Sequence, residues 1–302
     1  MYDVHRLRLL LELKRRGTLT AVAEALNYSP STISQQLSQL ESEVGVPLLV
    51  PAGRRVRLTP QADVLAAHAE IVLRQLEAAE AALAQSLTEL TGTVRIASFQ
   101  TGLLGLLSPV LTTLDARHPG VRVEVFQVEP QIALPGMLAH EYDLVIAEEF
   151  RHQPLPRQSD IDYRELFQDP LRLALPVADA DASTTAGDGG VWEVVAQRPW
   201  VAEALGSASR NWLRTLCREA GFEPDIRFTT DDLLVQRQLV ADGHAVAILP
   251  DLLDAAQNPK VALVTVPGGP HTRRILTASR RDASAHPAIE ACRAAFAATA
   301  RA

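Results

Sequence analysis

The run SPSTISQQLSQLE at positions 29–41 constrains this chain more than any other stretch. Ser29 can accept a hydrogen bond from the open N–H groups of a first helical turn, and Pro30 has its φ preset for the next position, so a helix begins here. Ile33, Leu37, Leu40 and Val44 recur at spacings of four, three and four, which makes one apolar stripe. The opposite face carries Ser31, Thr32, Ser34, Gln35, Gln36, Ser38 and Gln39, polar and uncharged. Hydroxyl and amide groups of this kind hydrogen-bond base edges in a major groove, whereas a merely solvated face more often carries Lys and Glu.

The neighbours give that helix its setting. Residues 20–26 form a short amphipathic helix capped from Thr18 or Thr20, and Asn27-Tyr28 turns the chain into Ser29, a helix-turn-helix layout. Residues 47–50 and 56–58 are short extended runs around a tip that holds Arg54 and Arg55, suited to a phosphate backbone or a minor groove. Leu7, Leu10 and Leu11 form the buried face of a first helix under this pair.

In this order, Gly17-Thr18-Leu19-Thr20, Ala23, Leu26, Ser29, Ser34, Leu40-Glu41, Val44-Gly45, Leu48, Arg54 and Leu58-Thr59 resemble the winged helix-turn-helix of LysR-type transcriptional regulators. The chain departs from the family's common pattern at Pro30-Ser31, Gln35, Leu49, Pro51 and Gln61-Ala62. The resemblance implies a protein that is α/β overall. A mainly α winged helix-turn-helix domain (residues 1–59) leads into a linker and dimerisation helix (60–90) and a hinge (91–93). A two-lobed, periplasmic-binding-protein-like α/β effector domain (94–302) follows, with lobe I at 94–167 and 268–302 and lobe II at 168–267. It also implies a sequence-specific regulator modulated by a small-molecule effector. The expected DNA contacts are Ser29, Ser31, Thr32, Ser34, Gln35, Gln36, Arg54 and Arg55. The expected partners are double-stranded DNA, the effector, further copies of the chain as dimer or tetramer, and RNA polymerase.

Charge distribution agrees with this division of labour. The chain has a formal net charge of −7, but residues 1–60 hold eight Arg or Lys against five Asp or Glu, while the remainder holds 21 against 31. The cationic portion is the one assigned to DNA. The opening residues are too charged for a targeting segment, and eighteen apolar residues never run together, so a cytoplasmic protein without a membrane role is expected. From Pro60 to residue 90 there is no further Gly or Pro. Leu65, Ala69, Val72, Leu76, Ala79, Leu83, Ser86 and Leu90 make a narrow seam there that calls for a second helix.

Beyond residue 93 the pattern alternates between strands (94–98, 121–128, 143–147, 171–175, 200–202, 225–229, 245–249, 274–279) and helices (103–117, 132–140, 209–220, 233–242, 288–300), with a small, polar, mobile loop at 178–190. Such alternation points to a parallel sheet with right-handed crossovers. Open sheets of that kind bind ligands beyond the carboxyl ends of their strands. Ser98, Gln100, Thr101, Gly206, Ser207, Thr229 and Asp231 occupy such positions and are the expected effector contacts, with Val128 and Glu148-Glu149 as outer walls. Glu148, Glu149 and Asp231 make a purely anionic effector uncomfortable there. No catalytic, metal or cofactor site is expected: the eight histidines are scattered, no phosphate-binding glycine loop follows the first strand, and Gly206-Ser207-Ala208-Ser209 is not a nucleophile elbow. Cys217 and Cys292 sit far apart in Ala-rich helices, as buried thiols do. Residues 94–302 alone would also suit a solute-binding protein without a DNA role.

Overall fold

A computed structural model describes residues 2–26, 28–53, 55–85, 90–179, 187–254 and 257–300, with backbone only at Arg55 and at 187–189. The chain divides into two compact units, Met1–Leu87 and Thr88–Ala302.

In the first unit, α1 (Val4–Arg16) starts on Asp3, whose carboxylate accepts from the Arg6 amide, and α2 (Leu19–Ala25) starts on Thr18, whose hydroxyl accepts from the Ala21 amide. The Ser29 hydroxyl caps α3 (Pro30–Val44) by accepting from the Thr32 amide at 3.1 Å. Helices α1 and α3 end on Gly17 and Gly45 at φ 76° and 78°, a left-handed geometry that L side chains rarely adopt. Strands β1 (Leu49–Ala52) and β2 (Arg55–Leu58) pair antiparallel as the wing, and α4 (Pro60–Gln85) follows. The Thr59 hydroxyl joins these parts, donating to the Pro47 carbonyl at 2.9 Å and accepting from the Ala62 amide at 3.1 Å. Glu41 does the same for α3, its Oε1 accepting from the amides of Leu48 and Leu49 at 2.7 and 2.9 Å. Ile33, Leu37 and Leu40 are fully buried against α1, α2 and the start of α4. Burial stabilises by about 1.5–3 kcal/mol for each such side chain.

The second unit opens with β3 (Gly92–Ser98). A continuous helical run follows, α5 (Gln100–Gly102), a π turn (Leu103–Leu107) and α6 (Ser108–Arg117), so the helix expected from 103 begins earlier. Then come β4 (Val121–Gln127), α7 (Pro130–Leu138), β5 (Leu144–Phe150) and β6 (Ile161–Pro176). The chain continues through α8 (Gly187–Ala196), β7 (Pro199–Ala202), α9 (Ala208–Glu219), β8 (Asp225–Thr229), α10 (Leu233–Ala241), β9 (Ala247–Pro250), β10 (Val261–Thr265), β11 (Thr272–Arg280) and α11 (Pro287–Thr299). One seven-stranded sheet has the order β10-β6-β11-β5-β3-β4, with β9 also on β6, and β7 pairs with β8 separately.

The sheet is mixed rather than parallel. Strands β3, β4 and β5 are parallel, but β11 is antiparallel to both β5 and β6. The physical reason is that the short link from β10 into β11 carries the chain onward in one direction along β6, past its last part and then its first, so β11 meets β6 and β5 antiparallel. Of the expected hinge at 91–93, Gly92 and Thr93 belong to β3 and pair with Val121 and Arg122 of β4. Strand β6 crosses the expected lobe boundary at 167/168 without a break, its first part lying on β11 and its last part between β9 and β10. Of the expected loop at 178–190, residues 187–190 begin α8, and 180–186 lie outside the described residues. The expected linker helix is described as far as Gln85, and 86–89 lie outside. The strands β6 and β11 join two lobes with separate cores, one around Ile96, Leu114, Ile146 and Phe296, the other around Leu173, Trp200, Leu213 and Cys217.

Arg273 sits where the lobes meet, 3% exposed. Its Nε and Nη2 donate to Asp169 at 2.9 and 2.7 Å, Nη2 also donates to the Thr101 hydroxyl at 2.7 Å, and Nη1 donates to Glu148. The guanidinium lies 5.0 Å from the centre of the Phe99 ring. Asp169 in turn accepts from the Leu252 amide at 3.1 Å. One cation thus binds strand to strand and helix to strand in the interior. Removing one partner of such a cluster leaves buried charge uncompensated, which costs about 3–5 kcal/mol. Arg273→Leu is therefore expected to lower the unfolding free energy of the second unit by about that amount, read from urea unfolding curves at neutral pH.

Candidate functional site

Two surfaces have the shape and chemistry of sites. The first is the outer face of α3. Ser29, Ser31 and Gln35 are exposed, and Thr32, Ser34 and Gln36 are half-buried at its edges. The Ser29 hydroxyl lies 2.7 Å from that of Ser31 and 2.8 Å from that of Thr32, a cluster at the positive end of the helix. Gln36 is partly engaged, its Oε1 accepting from Arg6 Nε at 3.0 Å, and Arg6 also pairs with Glu43. The face is left uncovered within this unit because the apolar stripe turns the other way. Arg54 lies outside the described residues, and Arg55 takes the first position of β2, opposite Ala52.

The second surface is a cleft between the lobes of the second unit. A cavity of about 270 Å³ is walled by Glu129, Glu148 and Glu203, by amides such as Gln131 and Gln153, and by Leu134, Leu155 and Tyr163. That volume lies near the lower end of small-molecule sites, roughly 300–1,000 Å³. Of the residues expected to face a ligand, Gly206 and Ser207 line this cavity. Ser207 also caps α9 by accepting from the Arg210 amide at 3.2 Å.

The others serve the frame of the cleft. Ser98 is enclosed, its hydroxyl donating to the Phe99 carbonyl at 3.2 Å, and Thr101 is taken up by Arg273. Thr229 accepts from Arg210 Nη1 at 3.1 Å, and Asp231 accepts from the Ala204 amide at 2.7 Å. Gln100 clasps the two lobes: its amide nitrogen donates to Asp232 at 2.9 Å and its oxygen accepts from the Leu233 amide at 2.8 Å. Val128 bonds through its amide to the Ser98 carbonyl. Glu148 faces the cavity, whereas Glu149 points to the opposite side of β5, where it is bound by Arg157 and Arg274. Adjacent strand residues must diverge in this way.

Glu129 and Glu203 were not anticipated, although each follows a strand as the expected contacts do. Glu129-Pro130 repeats the arrangement of Ser29-Pro30, with Pro at the start of a helix. The electrostatics of the cleft depend on these residues. Burial, then the nearby charges of Glu148, Glu203 and Asp231, push Glu129 up to about 8. Burial pushes Glu148 up to about 7, against Arg273, whose single positive charge is shared with Asp169. Glu203 is also raised by burial, against hydrogen bonds from Ser209 and Ser207. Among the described residues no group of His, Cys, Asp and Glu could hold a metal ion. Cys217 and Cys292 are buried and pushed up to about 12, which keeps both as thiols. No helix of the described residues is long and apolar enough to cross a membrane.

Comparison with known proteins places both surfaces in one context. The family model described as "Bacterial regulatory helix-turn-helix protein, lysR family" matches residues 4–63, and that described as "LysR substrate binding domain" matches residues 88–301. The HTH-type transcriptional regulator IlvY of Escherichia coli is 30% identical over 261 residues, covering 83% of this chain and 82% of its own. The Hca operon transcriptional activator HcaR of Escherichia coli is 25% identical over 283 residues, covering 92% of each. Among solved structures, a variant of full-length OxyR from Pseudomonas aeruginosa aligns with a TM-score of 0.67 at 21% identity, covering 98% of this chain and 95% of that one. Full-length CbnR complexed with its target DNA aligns with a TM-score of 0.56 at 20% identity, covering 99% of this chain and all of the other.

The raised carboxyls fix the sign of one pH effect. Between the ordinary carboxyl value and about 7 to 8, the folded chain keeps protons on Glu148 and Glu129 that the unfolded chain has released, so stability falls as pH rises through that window. Asp232, held below its usual range by the hydrogen bond from Gln100, acts only at more acid pH. The melting temperature of the full chain is therefore expected to fall from pH 5.5 to 8.5, and to fall less in Glu129→Gln. Equal slopes in thermal unfolding of the two proteins would contradict this.

Proposed function

The chain belongs to the LysR family of bacterial transcriptional regulators, DNA-binding proteins with a substrate-binding domain, and from that premise we propose that it reads a specific duplex with the open face of α3 and responds to a small molecule held in the interlobe cleft. The observation that carries the reading is the division of α3: Ile33, Leu37 and Leu40 are sealed inside, and Ser29, Ser31 and Gln35 are presented to solvent at the end of the helix that favours phosphate. Ser31, Thr32, Ser34, Gln35 and Gln36 contact base edges and the adjoining backbone, Ser29 contributes at the helix start, and Arg54 and Arg55 contact phosphate or the minor groove.

The reading head has few cations, so its affinity depends on pairing two copies. Helix α4 supports that pairing. Ala62, Ala66, Ala69 and Leu73 are buried within their own unit, while Ile71, Val72, Leu76 and Leu83 are exposed, a stripe that a second α4 covers. Dimers, or tetramers built from them, then read two half-sites in the cytoplasm. A ligand in the cleft changes the spacing of the heads and with it the contact with RNA polymerase. The chain has no catalytic role in this scheme.

Two outcomes are expected on DNA from upstream of the chain's own gene, and one on the oligomeric state. Gln35→Ala and Ser31→Ala each cost about 1–3 kcal/mol on the preferred sequence and less on a scrambled one, because base contacts carry the specificity. Arg54→Ala with Arg55→Ala weakens binding to both sequences and lowers the salt dependence by about one unit per residue. Fluorescence anisotropy titrations at several salt concentrations decide both. Leu76→Glu with Leu83→Glu yields a monomer by sedimentation at micromolar concentration; an unchanged oligomer would remove α4 as the pairing surface.

A further inference from the structure

The cleft that the proposed function assigns to the effector has an unusual charge for a cavity at helix N-termini, where anions are ordinarily favoured. Among the described residues, the wall of its 270 Å³ cavity holds three carboxyl groups, Glu129, Glu148 and Glu203, and no Lys, Arg or His, while Arg210 and Arg273 line an adjoining pocket that shares Glu203. The nearby cations are turned to other work. Arg273 is shared between Glu148 and Asp169, Arg157 binds Glu149 at 2.9 Å, and Arg210 donates to the Glu203 carbonyl and to Thr229.

Glu129 stands at the N-cap of α7, yet its carboxylate makes no capping hydrogen bond there. It is placed instead where Glu148 of β5, Glu203 beyond β7, Asp231 beyond β8 and Arg273 of β11 act on it. Acidic groups on this wall thus outnumber the described cations beside it, around an open volume of about 270 Å³, and Glu129 and Glu148 hold protons near neutral pH. Leu134, Leu155, Tyr163 and four prolines of the 154–156 and 130–135 segments supply an apolar remainder.

We propose that the effector is a small organic cation, with a protonated amine or guanidine end held by Glu129 and Glu203 and an apolar body lying against Leu134, Leu155 and Tyr163. A carboxylate ligand would add like charge to a partly desolvated acidic wall, whereas an ammonium group replaces missing positive charge with charge-assisted hydrogen bonds. The proposal rests on the cleft being the effector site and adds the chemical class of ligand. The cation displaces protons held in the ligand-free cleft, chiefly on Glu129 and Glu148, so affinity rises with pH through about 7 to 8. The groups facing them, Glu203, Asp231, Asp169 and Arg273, are those already named.

The test uses the full chain and two matched sets of probes: benzylamine, benzyl alcohol and benzoate, and hexylamine, hexanol and hexanoate. Isothermal titration and thermal shift at pH 6.0 and 8.5 are expected to show each amine binding at least about tenfold tighter than its alcohol and carboxylate partners, with the preference larger at pH 8.5. Glu129→Gln and Glu203→Gln each reduce amine affinity roughly 10- to 100-fold and leave the alcohols unaffected. Preference for the carboxylates, or amine binding unchanged in both Gln variants, overturns the proposal. If a carboxylate or alcohol binds and Leu134→Trp abolishes it, the cleft remains the effector site and only the cationic class is wrong. If no probe of either set binds, both readings are overturned.

Discussion

A single guanidinium shared by two buried carboxylates holds the second unit together. Arg273 lies on β11, Asp169 on β6, Glu148 on β5 and Thr101 on α5, so one side chain reaches the elements that carry the lobes and the floor of the cleft. Taking these charges out of water is costly, and the attraction between them repays that only when every remaining lone pair finds a donor. Asp169 meets the condition through the Leu252 amide. Glu148 does not meet it as fully, since its second role is to wall the cavity. The residue that completes the core is thereby also one that lines an acidic cleft, where burial pushes it up to about 7.

The helical head was legible because each of its devices is local. Ser29-Pro30 starts a helix, the stripe of Ile33, Leu37 and Leu40 fixes which side is buried, and Gly45 ends it, all within seventeen residues of sequence. The cleft was only half legible because its wall is assembled from segments that meet through the sheet. Ser98 is expected to face an effector because it stands at the carboxyl end of a strand. Strand β3 is central, with β4 and β5 on either side, and its last residues are covered on both faces. Glu129 carries the same helix-start signal as Ser29, but nothing near it in sequence reveals that Glu203, 74 positions later, comes to face it. The first part of β6 was missed for a related reason: its run IDYRELFQDP is charged and contains Pro170, which suits a segment paired on one side by β11 rather than a buried central strand.

The long helix shows why a sequence seam can be right in period and still mixed in purpose. Positions at one edge of the stripe, Ala66, Ala69 and Leu73, are small or well enclosed and pack on the first helices of their own unit. Those beside them, Val72, Leu76 and Leu83, have exposed side chains. A spacing of three and four fixes which residues share a face, but it carries no information about which of two neighbouring surfaces that face will meet.

The cleft's charge also bears on how a ligand could influence the lobes at all. A ligand shifts an equilibrium between arrangements only by its difference in affinity for them. Gln100 already clasps the lobes in this arrangement, through Asp232 and the Leu233 amide, so closure does not depend on a ligand bridging the gap. In this arrangement Glu203 of one lobe approaches Glu129 and Glu148 of the other across the cavity wall, and the charge of Asp231 acts on Glu129. Like charges make that approach unfavourable, and protons retained on the carboxyls relieve it in part. A cation bound among them relieves it further, and does so only when the lobes are together. On the proposal of a cationic effector, affinity for this arrangement exceeds that for a more open one, and that difference, rather than the number of contacts made, is the lever by which occupancy of the cleft would be passed on to the DNA-binding unit.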